Sequence, residues 1–297
     1  MTGSGKSSSK PQSAPPGIGR RLGDLLAILV ITVLTALLVK TFILDASHIS
    51  SRSMMDALQP GDYVLVNKFL YGARTPPSLS GDYGPLPSVQ LPALRDPRRG
   101  DILLFWFPSG TGFESFRSAR QFVKRCVAVP GDTLIIDRGS VQVNGRTAVV
   151  LDGDTVTHLS FTLPRPGEVV TVDARSPAIL RELVQRDRDL SDEEPRGGER
   201  GGENVQEDAI STPTNPAADT GTMTASTSHI VVNEFYFLLG DRTSLSVDSR
   251  HWGLIPRAWV IGTPIAVYWS VEPGSADGGL SSRLHGIRWL RLGHLVR

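Results

Sequence analysis

The sequence predicts a mostly β ectodomain behind a single N-terminal transmembrane helix, and three observations carry that reading. The first is an apolar run, LLAILVITVLTALLVKTFIL from Leu25 to Leu44, broken by one charge, Lys40. The second is a series of short strand-like runs at close spacing beyond residue 46. The third is SVQVNGRTAVV at 140–150, where Asn144-Gly145 separates two alternating segments. Both turn positions of such a hairpin need positive φ, which Asn and Gly adopt most readily.

Residues 1–23 carry Lys6, Lys10, Arg20 and Arg21, no acidic residue before Asp24, and much Ser, Pro and Gly. Such a segment has too little apolar surface to fold and is expected to be a disordered tail. Residues 24–45 form the anchor, since a helix of that length covers a bilayer core of roughly 30 Å. Lys40 lies near the outer end, where its long side chain extends to the headgroups. A cleavable signal peptide is the rival reading, but its apolar region is usually about 7 to 15 residues; Asp45-Ala46-Ser47 also offers only a weak cleavage site. A buried core helix is the other rival, and the run has no polar face to favour it. Positive charge before the helix and polar chain after it predict a cytoplasmic N-terminus, with everything after residue 45 outside.

Residues 46–150 hold YVLV at 63–66, ILLFWF at 102–107, FVKRCVAV at 122–129 and TLIID at 133–137, followed by the hairpin; a Pro- and Gly-rich loop spans 75–98. Residues 151–233 read as an insertion, free of Phe, Tyr and Trp from Leu163 to Asn233 and expected to be mobile across 186–228. Within it, residues 173–190 predict a short helix through Ala178, Leu180, Leu183 and Val184. Strand signals resume in residues 234–272, with FYFLL at 235–239 and VIGTPIAVYWS at 260–270. The basic segment 273–297 ends in RLHGIRWLRLGHLVR, too short in apolar run to span a bilayer. It reads as a solvated helix or strand end, with a membrane-lying helix as the alternative because basic and aromatic residues suit the interface.

Composition excludes several functions. With 31 Lys+Arg against 30 Asp+Glu, and no basic run beside stacking aromatics, nucleic acid is not an expected partner. The single Cys126 rules out an internal disulfide, a thiolate metal cluster and a CxxC pair. The histidines, at 48, 158, 229, 251, 285 and 294, lack metal-type spacing, and GSGKSS at 3–8 lacks the strand and first glycine of a phosphate loop. Neither a histidine metal site nor a phosphate-binding loop is therefore expected.

Two segments suggest chemistry. Ile49-Ser50-Ser51-Arg52-Ser53-Met54 follows the anchor closely, so Ser53 is expected near the outer membrane surface. A serine oxygen needs a base, and a lysine buried among apolar groups can lose its proton and serve. Lys124 lies in FVKRCVAV, where alternation puts Phe122, Lys124 and Cys126 on one face and Arg125 on the other.

These segments and two more occur as four boxes: ISSRSMMDAL followed by Gln59-Pro60-Gly61-Asp62; Arg99-Gly100-Asp101-Ile102; Lys124-Arg125-Cys126-Val127-Ala128-Val129-Pro130-Gly131-Asp132; and GDRTSLSVDSRHWG from Gly240 to Gly253. In this order behind an N-terminal anchor, the set resembles the bacterial type I signal peptidases, membrane-bound Ser/Lys proteases that remove signal peptides from exported proteins. The resemblance implies that Ser53 is the nucleophile and Lys124 the general base. It further implies that Ser51 completes the oxyanion hole with the Ser53 backbone N–H, that Ser246 orients the lysine head group, and that Asp248 and Arg250 form a supporting ion pair. It implies a mostly antiparallel β fold, a substrate bound as an extended strand, small pockets for Ala-x-Ala-like residues, signal-peptide-bearing precursors and membrane lipid as partners, and no cofactor. This sequence departs from the family pattern at Ser50, Asp56, Ala57, Ala128, Arg242 and Thr243. Met54 reads as packing under the nucleophile turn, Trp252 as core, and the Gly-Asp pairs as turns without chemistry. The other readings are an inactive membrane-anchored binding module of the same fold, a structural envelope protein, and a self-cleaving Ser/Lys protease.

Overall fold

A computed structural model of the chain describes residues 18–73, 91–107, 120–137, 139–151, 158–193, 226–275 and 284–297. Helix α1 (Ile18–Leu38) runs on through a π-helical stretch, Val39–Ile43. It opens inside the segment expected to be tail. Once the apolar run has nucleated a helix, extension adds a hydrogen bond for each residue fixed. Residues 1–17 lie outside the described residues. From Gly23 to Ile43 this helix is long and apolar enough to cross a membrane, and none of it is buried against the rest of the protein. Leu44 and Asp45, the end of the anchor by hydropathy, begin strand β1 (Leu44–His48) instead, because their backbone pairs with β2 (Asp62–Asn67).

The remaining strands are β3 (Ile102–Phe107), β4 (Arg120–Ala128), β5 (Thr133–Asp137), β6 (Ser140–Val143), β7 (Arg146–Val150), β8 (Leu159–Thr162), β9 (Val169–Val172), β10 (Thr227–Ile230), β11 (Phe235–Leu239), β12 (Ile255–Pro256) and β13 (Val260–Ser270). Two further helices are α2 (Ala178–Glu193) and the single turn α3 (Ser249–Trp252). All the strand pairs are antiparallel. One seven-stranded sheet has the order β1-β2-β13-β3-β4-β11-β12, so it draws strands from both sides of the 151–233 insertion. A second sheet runs β7-β6-β5-β8, and β10 pairs with β9. Strands β6 and β7 are the hairpin expected from Asn144-Gly145, with φ of 52° and 76° at the turn.

Alternation assigns the core. On β3, Ile102 and Leu104 enter one apolar cluster with Val64, Val66 and Val267, while Leu103 and Phe105 enter another with Tyr236, Leu238, Ile255 and Trp259. Strand β4 divides the same way: Val123 packs on the first cluster and Phe122 and Cys126 on the second. Strand β11 is buried on both faces, which explains its unbroken apolar run. Its other face joins a third cluster with β5, β6 and Leu183 and Val184 of α2. The helix expected over 173–190 forms only from Ala178, because Asp173 Oδ1 accepts the Arg175 and Ser176 amides in a turn before it, and it runs on to Glu193. Of the stretch expected to be mobile, Arg186–Glu193 belong to α2 and Thr227–Ser228 to β10; residues 194–225 lie outside the described residues.

Candidate active site

Ser53 sits on a turn just after β1. The amides of Ala57 and Leu58 both donate to the Met54 carbonyl, at 3.0 and 2.6 Å. Met54 and Leu58 are buried beneath the turn with Ile49, so packing is the role of Met54. Gly61 closes the loop with φ of +89°, where a Cβ would overlap the Val271 carbonyl. The Ser53 carbonyl accepts from the Arg242 N–H at 3.0 Å, which ties the Ser53 turn to the fourth box.

Lys124 reaches this turn from the β4 face that it shares with Phe122 and Cys126. Its Nζ donates to Ser53 Oγ at 2.6 Å, and both residues are only 3% exposed. Ser51 Oγ lies 2.9 Å from Ser53 Oγ and accepts from the Ser53 N–H at 3.1 Å. Two hydroxyls and one amine therefore form a continuous hydrogen-bonded row. Burial is the main influence on the lysine and pulls its pKa from 10.5 down to about 8. Asp248 opposes that pull, Arg250 adds to it, and Asp241 weakly opposes it. Among the described residues, no carboxylate lies within salt-bridge distance of Lys124, and with a pKa of about 8 roughly a tenth of its amine is neutral at pH 7.

Asp248 and Arg250 stand behind the site. Arg250 Nε donates to Asp248 Oδ1 at 2.8 Å, with the side chains 5% and 0% exposed. Asp248 caps α3 and accepts the Gly240 N–H at 3.2 Å, while Arg250 donates to the carbonyls of Thr243 and Ser246. The pair thereby holds the loop that carries Ser246. Ser246 Oγ itself is buried and has no hydrogen-bond partner among the described residues; it does not bond Lys124. It lies over Gly240, where a Cβ would clash with it and come within 2.9 Å of the Ser53 carbonyl. Glycine at 240 is thus required by a close approach that the sequence alone did not reveal.

The Gly-Asp pairs of the boxes, read as turns, are also ion-pair anchors. Asp62 takes Arg291 at 2.5 Å and the Ser270 hydroxyl at 2.7 Å, Asp101 takes Arg95 at 2.6 Å, Asp132 takes Arg99 at 2.5 Å, and Asp241 takes Arg125 at 2.7 Å. Their recurrence as Gly-Asp in a chain with matching arginines was the available signal. Two departures from the family pattern meet each other: Arg242 Nε donates to Asp56 Oδ1 at 2.9 Å on the surface beside Ser53.

A family model described as signal peptidase, peptidase S26, matches residues 22–269. The chain belongs to the signal peptidase family. Among family relatives, a probable signal peptidase I-2 from Synechocystis is 24% identical, covering 90% of this chain and 80% of its own length. A signal peptidase I from Pseudomonas aeruginosa is 25% identical, covering 79% of this chain and 68% of its own. A crystal structure of a signal peptidase I from Enterococcus faecalis is 19% identical and covers 58% of this chain and 98% of that one, at a TM-score of 0.24. Within this signal peptidase chain, Ser51, Ser53 and Lys124 come together, Asp248 and Arg250 pair behind them, and Ser246 stands over Gly240 without touching the lysine by hydrogen bond.

Proposed function

We propose that this chain is a membrane-anchored serine endopeptidase that removes N-terminal signal peptides from exported precursors, with Ser53 as nucleophile and Lys124 as general base. The observation that carries the reading is the 2.6 Å contact between Lys124 Nζ and Ser53 Oγ at a buried position. In the reactive form the neutral amine accepts the Ser53 proton as Oγ attacks the scissile carbonyl. The oxyanion then accepts from the Ser53 N–H and the Ser51 hydroxyl, each donor contributing about 3 kcal/mol. Before substrate binds, that N–H is donated to Ser51 Oγ, so the Ser51 hydroxyl must turn from acceptor to donor. The Lys124 ammonium passes its proton to the departing amine, and the regenerated amine activates the water that hydrolyses the acyl-enzyme. Ser246, buried and without a partner among the described residues, orients the lysine head group after a side-chain rotation. Asp248 and Arg250 keep that loop in place.

The substrate binds as an extended strand with small residues before the cut. Both enzyme and substrate carry an apolar helix, and a shared bilayer raises their effective concentration. The N-terminus is cytoplasmic and the β module, residues 46–150 with 234–272, lies on the outer side. Lipid contact extends beyond α1 to Trp269, Trp289 and Leu290, which are exposed together next to the Arg288 and Arg291 that hold Asp62. Cleavage of a precursor with an Ala-x-Ala signal peptide, in detergent or lipid, tests the reading. It should be lost in Ser53→Ala and Lys124→Ala with folding intact. Cleavage surviving in Lys124→Ala would move the base elsewhere, and a wild-type chain inert on several precursors would favour the binding-module reading.

A further inference from the structure

Helix α2 belongs to the insertion, yet one of its side chains reaches the segment beside the lysine. Arg186 donates to the carbonyls of Trp252 and Leu254, both at 2.6 Å. Its guanidinium lies 5.7 Å over the Phe107 ring and 5.2 Å over Trp259, and Glu182, one turn earlier, pairs with it at 3.0 Å. The side chain is 12% exposed, a placement that is costly for a cation unless carbonyls, a carboxylate and ring faces replace water together. Trp252 and Gly253 end α3, where helix carbonyls need outside partners. The approach is close: a Cβ on Gly253 would meet Glu182 Cγ at 3.4 Å, at a φ of +80°. Helix α2 is itself fixed from the other side. The buried Asp187 accepts from the Val232 and Asn233 amides and pairs with His229 at 2.7 Å, holding the chain that leads into β11.

The Trp252 ring stacks on Phe107 at 4.9 Å and meets Phe122 at 5.1 Å, and its centre is 6.0 Å from Lys124 Nζ. A continuous contact path therefore runs from the insertion helix through Arg186, the 252–254 backbone and the Trp252 ring to the lysine. We infer that Arg186 is a positioning residue for the reaction: it latches the 252–254 segment so that Trp252 stays closed against Lys124 and keeps water from its amine. The inference rests on the Ser53/Lys124 reading and gives the insertion a part in it. Charged groups facing Lys124 are Asp248 at the N-cap of α3, Arg250 on α3 and Asp241 after β11, and the latch also fixes the helix that Asp248 caps and Arg250 belongs to. Releasing it admits water, which favours the charged amine and removes the neutral base.

The test compares the full chain with Arg186→Met and Arg186→Lys in detergent micelles. One measurement is kcat/KM for precursor cleavage against pH. The other is the titration of Lys124 itself, followed by competitive acetylation and mass spectrometry, which needs no activity. In Arg186→Met the Lys124 titration should move up by about one pH unit, so that kcat/KM at pH 7 falls about tenfold and returns to within about twofold of wild type near pH 9.5. Arg186→Lys keeps the charge but not the fork that spans both carbonyls, and should move the same way by less. An unmoved Lys124 titration in Arg186→Met, whatever happens to the rate, overturns the inference. A wild-type profile in Arg186→Lys beside a shifted one in Arg186→Met assigns the effect to charge and overturns it too. A moved titration that the rate does not follow would count instead against Lys124 as the base and leave the latch standing.

Discussion

Lys124 and Arg125 are neighbours on β4 with opposite surroundings. Arg125 is clamped by Asp241 at 2.7 and 3.0 Å and donates to the Gly100 carbonyl at 2.9 Å, and its hydrogen bonds to Asp241 push its pKa up. Lys124 is buried with a serine hydroxyl and an aromatic ring in place of a carboxylate, and burial brings it down to about 8. Burial with a counter-ion makes an anchor, whereas burial without one makes an amine that gives up its proton more readily. The same division runs through the molecule: the box carboxylates Asp62, Asp101, Asp132 and Asp241 each bind arginine, and none of them pairs with the lysine.

The sharpest way to break the contrast is Lys124→Met, which should lower kcat/KM by at least about a thousandfold. In the wild type, kcat/KM should rise with pH up to about 8 and then level, because in the proposed mechanism only the neutral amine is competent. Stability should move the opposite way to activity in the variant. The folded chain releases the Lys124 proton near pH 8 and the unfolded chain near 10.5, so the native lysine penalises folding in full below pH 8. That penalty, up to about 3 kcal/mol, fades as pH rises between the two values. Lys124→Met should therefore be the more stable protein in urea at pH 6, with the advantage shrinking above pH 8.

On the anchor side, Asp62→Asn should cost about 3 kcal/mol, read as a lower urea midpoint at neutral pH. Burial pulls Asp62 upward, but Arg291, the Gln59 amide and the Ser270 hydroxyl together hold it below the ordinary 3.8. Its contribution is accordingly present above pH 3.8 and lost as pH falls below it, so wild type and variant should converge in acid. Ser51→Ala removes one oxyanion donor of the proposed mechanism and should lower kcat about a hundredfold with little change in KM. Arg125→Met should cost about 1 to 3 kcal/mol by leaving Asp241 unpaired, and the freed carboxylate should move the acid limb of the pH–rate profile upward. The smallest effect belongs to Asp56→Ala. Its pair with Arg242 is more than half exposed on both sides, so the urea midpoint should shift by less than about 0.5 kcal/mol equivalent.

Much of this was legible beforehand because it is local. The Asn144-Gly145 turn, the apolar runs of β3, β11 and β13, and the alternation that sets Lys124 apart from Arg125 depend on neighbours in the chain. The short strands β8, β9 and β10 were missed, since a run of four residues is too short to show an alternation until a partner strand supplies hydrogen bonds. Three of the four Gly-Asp carboxylates were read only as turns because their arginines lie far away in sequence, as with Asp62 and Arg291; Asp101 alone has its arginine, Arg95, nearby.

By itself the sequence determined an unburied apolar helix at one end, a β module beyond it, and a serine and a lysine of the right types in the right order. Periodicity and composition are properties of short segments and survive without coordinates. Tertiary structure decided that Ser53 and Lys124 meet at 2.6 Å, that no carboxylate pairs with that lysine among the described residues, and that Arg186 of the insertion bonds the backbone carbonyl of the tryptophan beside it. Those facts depend on which segments exclude water from one another, and solvent exclusion is set only when distant parts of the chain close on the same point.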